Sequence, residues 1–261
     1  MSKLEALIFD VDGTLANTEK DGHLVAFNMA FEAAGLDWKW SVELYGRLLA
    51  VTGGKERIKF YLSDFYKNER GQEFEIPTAA SKTLDEFVAD LHAAKTRYYV
   101  QLMEQGAVPL RTGVVRLLNE ARDAGMRLAI ATTTTPANVT SLLSHTLGAD
   151  AVDWFEVIAA GDVVPAKKPA PDIYIWAMEK MHLCAEQCLV FEDSHNGLLS
   201  SKGAGLKTVI TINEYTADHD FSDADLVLSD FGEPQQPMQL IAGECDAPFF
   251  SLDTAHKIFH R

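Results

Sequence analysis

Phe9-Asp10-Val11-Asp12-Gly13-Thr14 closes the apolar run Ala6-Leu7-Ile8-Phe9, and this junction decides the fold. A four-residue apolar run bounded by charge reads as a buried strand. Two aspartates stand at its end, where the chain leaves the sheet, and Gly13 lets the backbone turn sharply. Open α/β sheets bind ligands at the carboxyl ends of their strands. There, two carboxylates one residue apart can bracket a reacting group, one attacking as nucleophile while the other moves a proton. That much negative charge calls for a metal ion. Taken alone, Asp-x-Asp-Gly also fits an ordinary turn.

Three later segments remove the ambiguity. Arg127-Leu128-Ala129-Ile130-Ala131 runs into Thr132-Thr133-Thr134-Thr135. Val157-Ile158-Ala159-Ala160 leads to Lys167-Lys168-Pro169, and Cys188-Leu189-Val190-Phe191 delivers Glu192-Asp193-Ser194. Four short apolar runs thus lead in turn to a carboxylate pair, a hydroxyl, an ammonium and an acid pair.

In this order the set resembles the haloacid dehalogenase superfamily, in its magnesium-dependent phosphohydrolase and phosphomutase branch. The resemblance runs from Leu7 to about Asp230. It implies that Asp10 is the nucleophile and Asp12 the general acid and base. Thr132 and Lys168 would contact the phosphoryl group, and Glu192-Asp193 forms the acidic metal motif. Mg2+ would be held by Asp10, Asp193 and the backbone carbonyl of Asp12, with Glu192 on a metal-bound water. Thr132 alone would pass for a β-branched strand residue, and Lys168 for a surface lysine with Lys167 as rival. Within the superfamily, Thr18-Glu19, His23, Trp38, Trp40 and Thr52-Gly53-Gly54-Lys55-Glu56-Arg57-Ile58 look like the CbbY-type sugar phosphatases. Their best-known activity is hydrolysis of xylulose 1,5-bisphosphate, a Rubisco misfire product. A β-phosphoglucomutase-like transfer uses the same core residues and is the alternative enzyme. A non-catalytic binding protein would lack one of Asp10, Asp12, Lys168 or Asp193, and none is missing.

The rest of the chain is consistent with an α/β fold, a Rossmann-like parallel sheet with helices on both faces and an inserted α-helical cap. Strands and helices alternate after about residue 105, which calls for a parallel sheet. Residues 16–104 lack short apolar runs that end in polar groups. They carry helical spacing instead, as in His23, Phe27, Ala30, Phe31 and Ala34 before Gly35. The expected division is therefore 1–15 with 105–261 as core and 16–104 as cap. Within the cap, Tyr66 to Pro77 reads as a loop and Thr83 to Gln105 as a long helix. Gly53 and Gly54 let the backbone approach an anion at a helix start, where Lys55 and Arg57 would grip a second phosphate. Glu19 and His23, four apart, share a helix face and would bind sugar hydroxyls. The tail from Gly232 onward carries no motif, and packing on the core and partial mobility both stay open.

The 261 residues carry 23 basic and 38 acidic side chains, a net charge of −15, so nucleic acid and anionic membranes are excluded as partners. The expected partner is a small sugar phosphate, and the chain is read as a monomer. Met1-Ser2-Lys3-Leu4-Glu5 enters the first strand directly, with no room for a signal peptide. Cys184, Cys188 and Cys245 are odd in number and match no zinc spacing, which favours reduced thiols and a cytoplasmic setting.

Overall fold

The apolar runs of the sequence fall in one seven-stranded sheet. Its strands are β1 (Ala6–Phe9), β2 (Arg127–Thr132), β3 (Val157–Ala160), β4 (Cys188–Glu192), β5 (Lys207–Thr211), β6 (Leu226–Leu228) and β7 (Leu240–Ala242). They lie in the order β3-β2-β1-β4-β5-β6-β7, all parallel except the antiparallel edge strand β7. The computed structural model describes residues 3–51, 53–76 and 82–261. Thr52 and Pro77, which enter two of the sequence expectations, lie outside them.

The apolar runs become strands because both faces of a parallel sheet are covered. Ala6, Leu7, Ile8, Leu189, Val190 and Phe191 have no exposed surface. In register, Phe9 of β1 stands opposite Ile130 of β2 and Phe191 of β4. The next residue on each strand path therefore emerges at the same edge. Phe9 and Phe191 stack at 4.6 Å between ring centres, which fixes the two central strands directly below their acidic ends.

The chain divides into two units, residues up to Thr18 with Val108 onward, and Glu19–Ala107. In the first, helices Val114–Asp123, Pro136–Thr146, Asp172–Met181 and His195–Gly203 alternate with the strands. Thr135 accepts from the Asn138 amide ahead of Pro136, and Ser194 accepts from Gly197, so two helix starts next to the site are capped by their own sequence. The tail is ordered: β7 pairs with β6, and helix Leu252–Phe259 follows. Phe250 packs with Phe191 and Phe231 at 5.4 and 5.8 Å, while Arg116 donates to the carbonyls of Phe231, Gly232 and Phe250.

The second unit is helical and built on aromatics. Helices Val25–Ala33 and Leu84–Glu104 pack on one another, and Phe27, Phe31, Trp38, Trp40 and Tyr61 join edge and face at 4.8–5.5 Å. Leu84–Glu104 starts in a capping box between Thr83 and Glu86. One expectation needs correction. The segment read as a loop from Tyr66 begins as helix, Lys67–Arg70, and turns irregular only at Gly71, whose φ of 69° ends it. Polarity hid the continuation: Tyr61, Leu62, Phe65 and Tyr66 bury one face of the helical stretch ahead of it, and the polar turn simply extends that stretch.

Candidate active site

Asp10 follows β1 and is 6% exposed; its amide donates to the Phe191 carbonyl at 3.0 Å, which ties it to β4. Lys168, on the loop after β3, reaches across the strand ends. Its ammonium donates to Asp10 Oδ1 at 2.7 Å, Glu192 Oε1 at 2.5 Å and the Ala131 carbonyl at 2.9 Å. Lys167 points elsewhere and pairs with Asp162 at 2.6 Å. Burial works against the charge of Lys168, but Asp10 and Glu192 outweigh it and hold the ammonium above its usual range. Burial pushes the Asp10 carboxyl well up, partly offset by Lys168 and reinforced by Glu192, Asp193 and Asp12.

Glu192 ends β4 and Asp193 follows it. Glu192 is held from several sides: Tyr174 donates its hydroxyl to Oε1 at 2.5 Å beside Lys168, and the Asp193 amide donates to Oε2 at 3.3 Å. Gly197 seats it, since a Cβ there would stand 1.9 Å from Oε2. Asp193 accepts from the Asn213 amide at 2.7 Å, and burial, with Glu192 alongside, pushes its carboxyl up to about 7. Gly13, at φ 89°, completes the packing, because a Cβ there would lie 2.0 Å from Asp193 Oδ2. Only glycine fits both that backbone and that space.

Asp10, Glu192 and Asp193 each offer an oxygen, all within 4.8 Å of one another. An all-oxygen, buried, strongly negative set suits Mg2+, a hard cation that favours carboxylates and water. The side chain of Asp12 is not in this cluster. Its Oδ1 instead accepts from the Thr18 hydroxyl at 2.5 Å, and the residue is more exposed than Asp10. Thr132 ends β2, fully buried, with its oxygen accepting from the Thr134 amide at 3.3 Å and its own hydrogen left to donate.

The remaining expected residues lie in the second unit. Arg57 is 9% exposed; it donates to the Tyr45 hydroxyl at 2.8 Å, which donates to Glu19 Oε2 at 2.5 Å. Arg57 and Glu19 stand 3.9 Å apart, and Arg57 Nε has no hydrogen-bond partner among the described residues. This is an interior network rather than a solvated helix start. Lys55 is exposed. Gly53 turns at φ 96°, and Gly54 makes room for the His92 ring, 2.4 Å from where its Cβ would be. His23 Nδ1 meets Lys95 Nζ at 2.8 Å and its ring stacks on Tyr99 at 4.0 Å. Burial, opposed by Glu19 and aided by Lys95, lowers its pKa to about 4.

Tyr174, Asn213, Tyr45 and Lys95 escape a motif reading. Lys95 had a signal: it occupies the apolar stripe of Val88, Leu91, Tyr99 and Met103 on one helix face. A lysine at a core position of an amphipathic helix asks for a buried partner.

A haloacid dehalogenase-like hydrolase family model matches residues 4–205. The CbbY protein of Rhodobacter capsulatus is 49% identical over 228 residues, 87% of this chain and 94% of that protein. CbbY of Cupriavidus necator is 46% identical over 235 residues, 90% of this chain and 89% of that one. Among solved structures, CbbY of Rhodobacter sphaeroides in complex with phosphate matches with a TM-score of 0.70 and 44% identity, over 88% of this chain and 96% of that chain. A variant of that protein is solved in complex with xylulose 1,5-bisphosphate, with a TM-score of 0.70 and 43% identity. Neither the sheet nor the acidic cluster departs from this kinship, and the chain belongs to the haloacid dehalogenase-like hydrolase family as a CbbY-like phosphatase.

Proposed function

We propose that the protein hydrolyses a sugar bisphosphate, xylulose 1,5-bisphosphate being the first candidate, with Mg2+ and through an aspartyl-phosphate on Asp10. The observation that carries this reading is the buried ammonium of Lys168 held between Asp10 and Glu192, beside Asp193. Its charge opposes the burial that pushes the Asp10 carboxyl up, and so favours the ionised, nucleophilic form.

Mg2+, held by Asp10, Asp193 and the backbone carbonyl of Asp12 with Glu192 on a metal-bound water, would neutralise phosphoryl charge. Asp10 attacks phosphorus, and the bond from phosphorus to the sugar oxygen breaks. Asp12 gives its proton to that oxygen, and the sugar leaves as an alcohol. The same carboxylate then takes a proton from water, which attacks phosphorus and frees Asp10 and inorganic phosphate. The Thr18 hydroxyl donates to one Asp12 oxygen, which orients the carboxyl proposed as acid and base. Such a group contributes about 10²- to 10⁴-fold. Thr132 and Lys168 donate to phosphoryl oxygens. Glu19, His23, Gly53, Gly54, Lys55 and Arg57 are proposed to recognise the rest of the substrate.

The direct test is chemical trapping of the acyl-phosphate. Borohydride reduction of the enzyme during turnover should modify Asp10 alone, and Asp10→Asn should abolish both label and turnover. A label on another residue, or turnover by Asp10→Asn near that of the parent, sinks the assignment.

A further inference from the structure

Behind the acidic cluster the polypeptide is tied by groups that no motif includes. Asn213 follows β5 and donates its amide to Asp193 Oδ2 at 2.7 Å. The orientation of that amide is forced. Its oxygen accepts from the Tyr215 amide at 2.9 Å, while the Asn213 backbone donates to Thr216 Oγ1 at 3.1 Å. With its oxygen occupied by a donor, the side chain can present only N–H to the carboxylate. A bond to one oxygen stops the carboxyl from turning about its Cβ–Cγ bond.

The loop that bears Asn213 is held in its turn by Arg111. Its guanidinium donates to the Thr211 carbonyl at 3.0 Å, Thr211 Oγ1 at 3.1 Å, the Ile212 carbonyl at 2.5 Å and the Ser229 carbonyl at 2.6 Å. It also donates to the Gly13 carbonyl, and its amide donates to the Leu15 carbonyl at 2.8 Å. One planar fork thus ties the ends of β5 and β6 to the turn after β1. Gly13 lies against both Asp193 and Asn213, 2.0 and 2.8 Å from where its Cβ would be. An ammonium could not span these acceptors, because its three donors radiate from a single atom.

We propose that Asn213, braced by Arg111, is a positioning residue that holds the carboxylate of Asp193 in the geometry that binds Mg2+. This rests on the reading of Asp10, Glu192 and Asp193 as the Mg2+ site. Groups that orient a metal ligand from behind affect affinity by about 10- to 100-fold. The pair is distinct from the four motifs: neither touches the cation cluster except through Asp193 and Gly13.

Calorimetric titration of the full chain with Mg2+ alone, without substrate, tests this. Asn213→Ala and Arg111→Lys should each weaken Mg2+ binding by about tenfold. Raising Mg2+ in a phosphatase assay should restore much of the Asn213→Ala turnover, which general damage to the fold would not allow. Because both residues act through one loop, the double variant should bind about as weakly as the weaker single one; losses that multiply would show two independent effects and overturn the brace. Parental Mg2+ affinity in Asn213→Ala overturns the proposal outright, and if that variant does not fold, parental affinity in Arg111→Lys does so. Asp193→Asn separates the two levels. If it too binds Mg2+ as the parent does, the metal-site reading has failed; if it loses Mg2+ while Asn213→Ala does not, only the positioning role has.

Discussion

Lys168→Met removes a single ammonium and leaves Asp10 and Glu192 facing each other, 8% and 1% exposed as side chains. Methionine keeps the length and the apolar stem, so the change is one of charge. Breaking a buried pair by removing one partner costs about 3–5 kcal/mol. The protein has an escape, which is to protonate one of the stranded carboxyls. For a group of ordinary pKa near 4, that costs about 1.4 kcal/mol per pH unit above it, roughly 5–6 kcal/mol at pH 8 and about 3 kcal/mol at pH 6. The smaller of the two costs sets the loss. The sign follows. Without Lys168 the folded Asp10 carboxyl titrates still further above its unfolded value, so the folded variant holds more protons and loses stability as pH rises. Relative to the parent, Lys168→Met without Mg2+ should therefore lose about 3–5 kcal/mol at pH 8, and less than about 3 kcal/mol at pH 6. Urea unfolding of both proteins at the two pH values reads this directly. A deficit that does not change with pH would mean that the loss is one of packing, and that Lys168 is not the counter-charge for Asp10 and Glu192.

Other expectations follow from the same geometry. Gly13→Ala places a Cβ against Asp193 and Asn213 at a backbone φ of 89°; it should cost about 1–3 kcal/mol in unfolding free energy and weaken Mg2+ binding, whereas Gly35→Ala, at φ 70° in open space, should spare Mg2+ binding. Burial pushes Asp193 up to about 7, so the metal-free folded state binds more protons than the unfolded one between pH 4 and 7 and loses stability as pH rises through that window. Mg2+ competes with those protons, and its increment in Tm should be larger at pH 8 than at pH 5.5; the reverse order in a thermal scan would contradict this. Arg57→Ala should raise KM for a bisphosphate by about 10- to 100-fold, the loss of a charge-assisted contact of about 1.5–3 kcal/mol, and affect a monophosphate far less. Equal losses in steady-state assays would confine Arg57 to its interior network with Tyr45 and Glu19.

The strands were legible because a parallel strand covered on both faces leaves an unbroken apolar run, as in Cys188 to Phe191, and charge marks where it leaves the sheet. That also made Asp10, Thr132 and Glu192-Asp193 visible, since strand ends are local in sequence. Lys168 needed the family pattern, because nothing near it in the chain separates it from Lys167; only the direction of the side chain does. Tyr174 and Asn213 act through partners 18 and 20 residues away. A tyrosine in the buried face of helix Asp172–Met181 looks like any core aromatic until its hydroxyl is placed. The tail was silent for another reason. Besides an ion pair to Glu233 at 3.1 Å, Arg116 binds it through backbone carbonyls of Phe231, Gly232 and Phe250, and carbonyls leave no mark on a sequence. In the second unit, the aromatic core obeys helical spacing, but the Glu19–Tyr45–Arg57 chain joins three separate segments that periodicity cannot connect.

The central claim, Mg2+-dependent hydrolysis of a sugar bisphosphate, is tested most directly by product analysis. Purified enzyme is given xylulose 1,5-bisphosphate or β-glucose 1-phosphate, with Mg2+ or with excess chelator, and inorganic phosphate and sugar phosphates are quantified. The account predicts Mg2+-dependent release of inorganic phosphate from the bisphosphate, with much higher kcat/KM than from the monophosphate, no glucose 6-phosphate, and no turnover in chelator. Conversion of β-glucose 1-phosphate to glucose 6-phosphate as the dominant reaction, or full phosphate release in excess chelator, would contradict it.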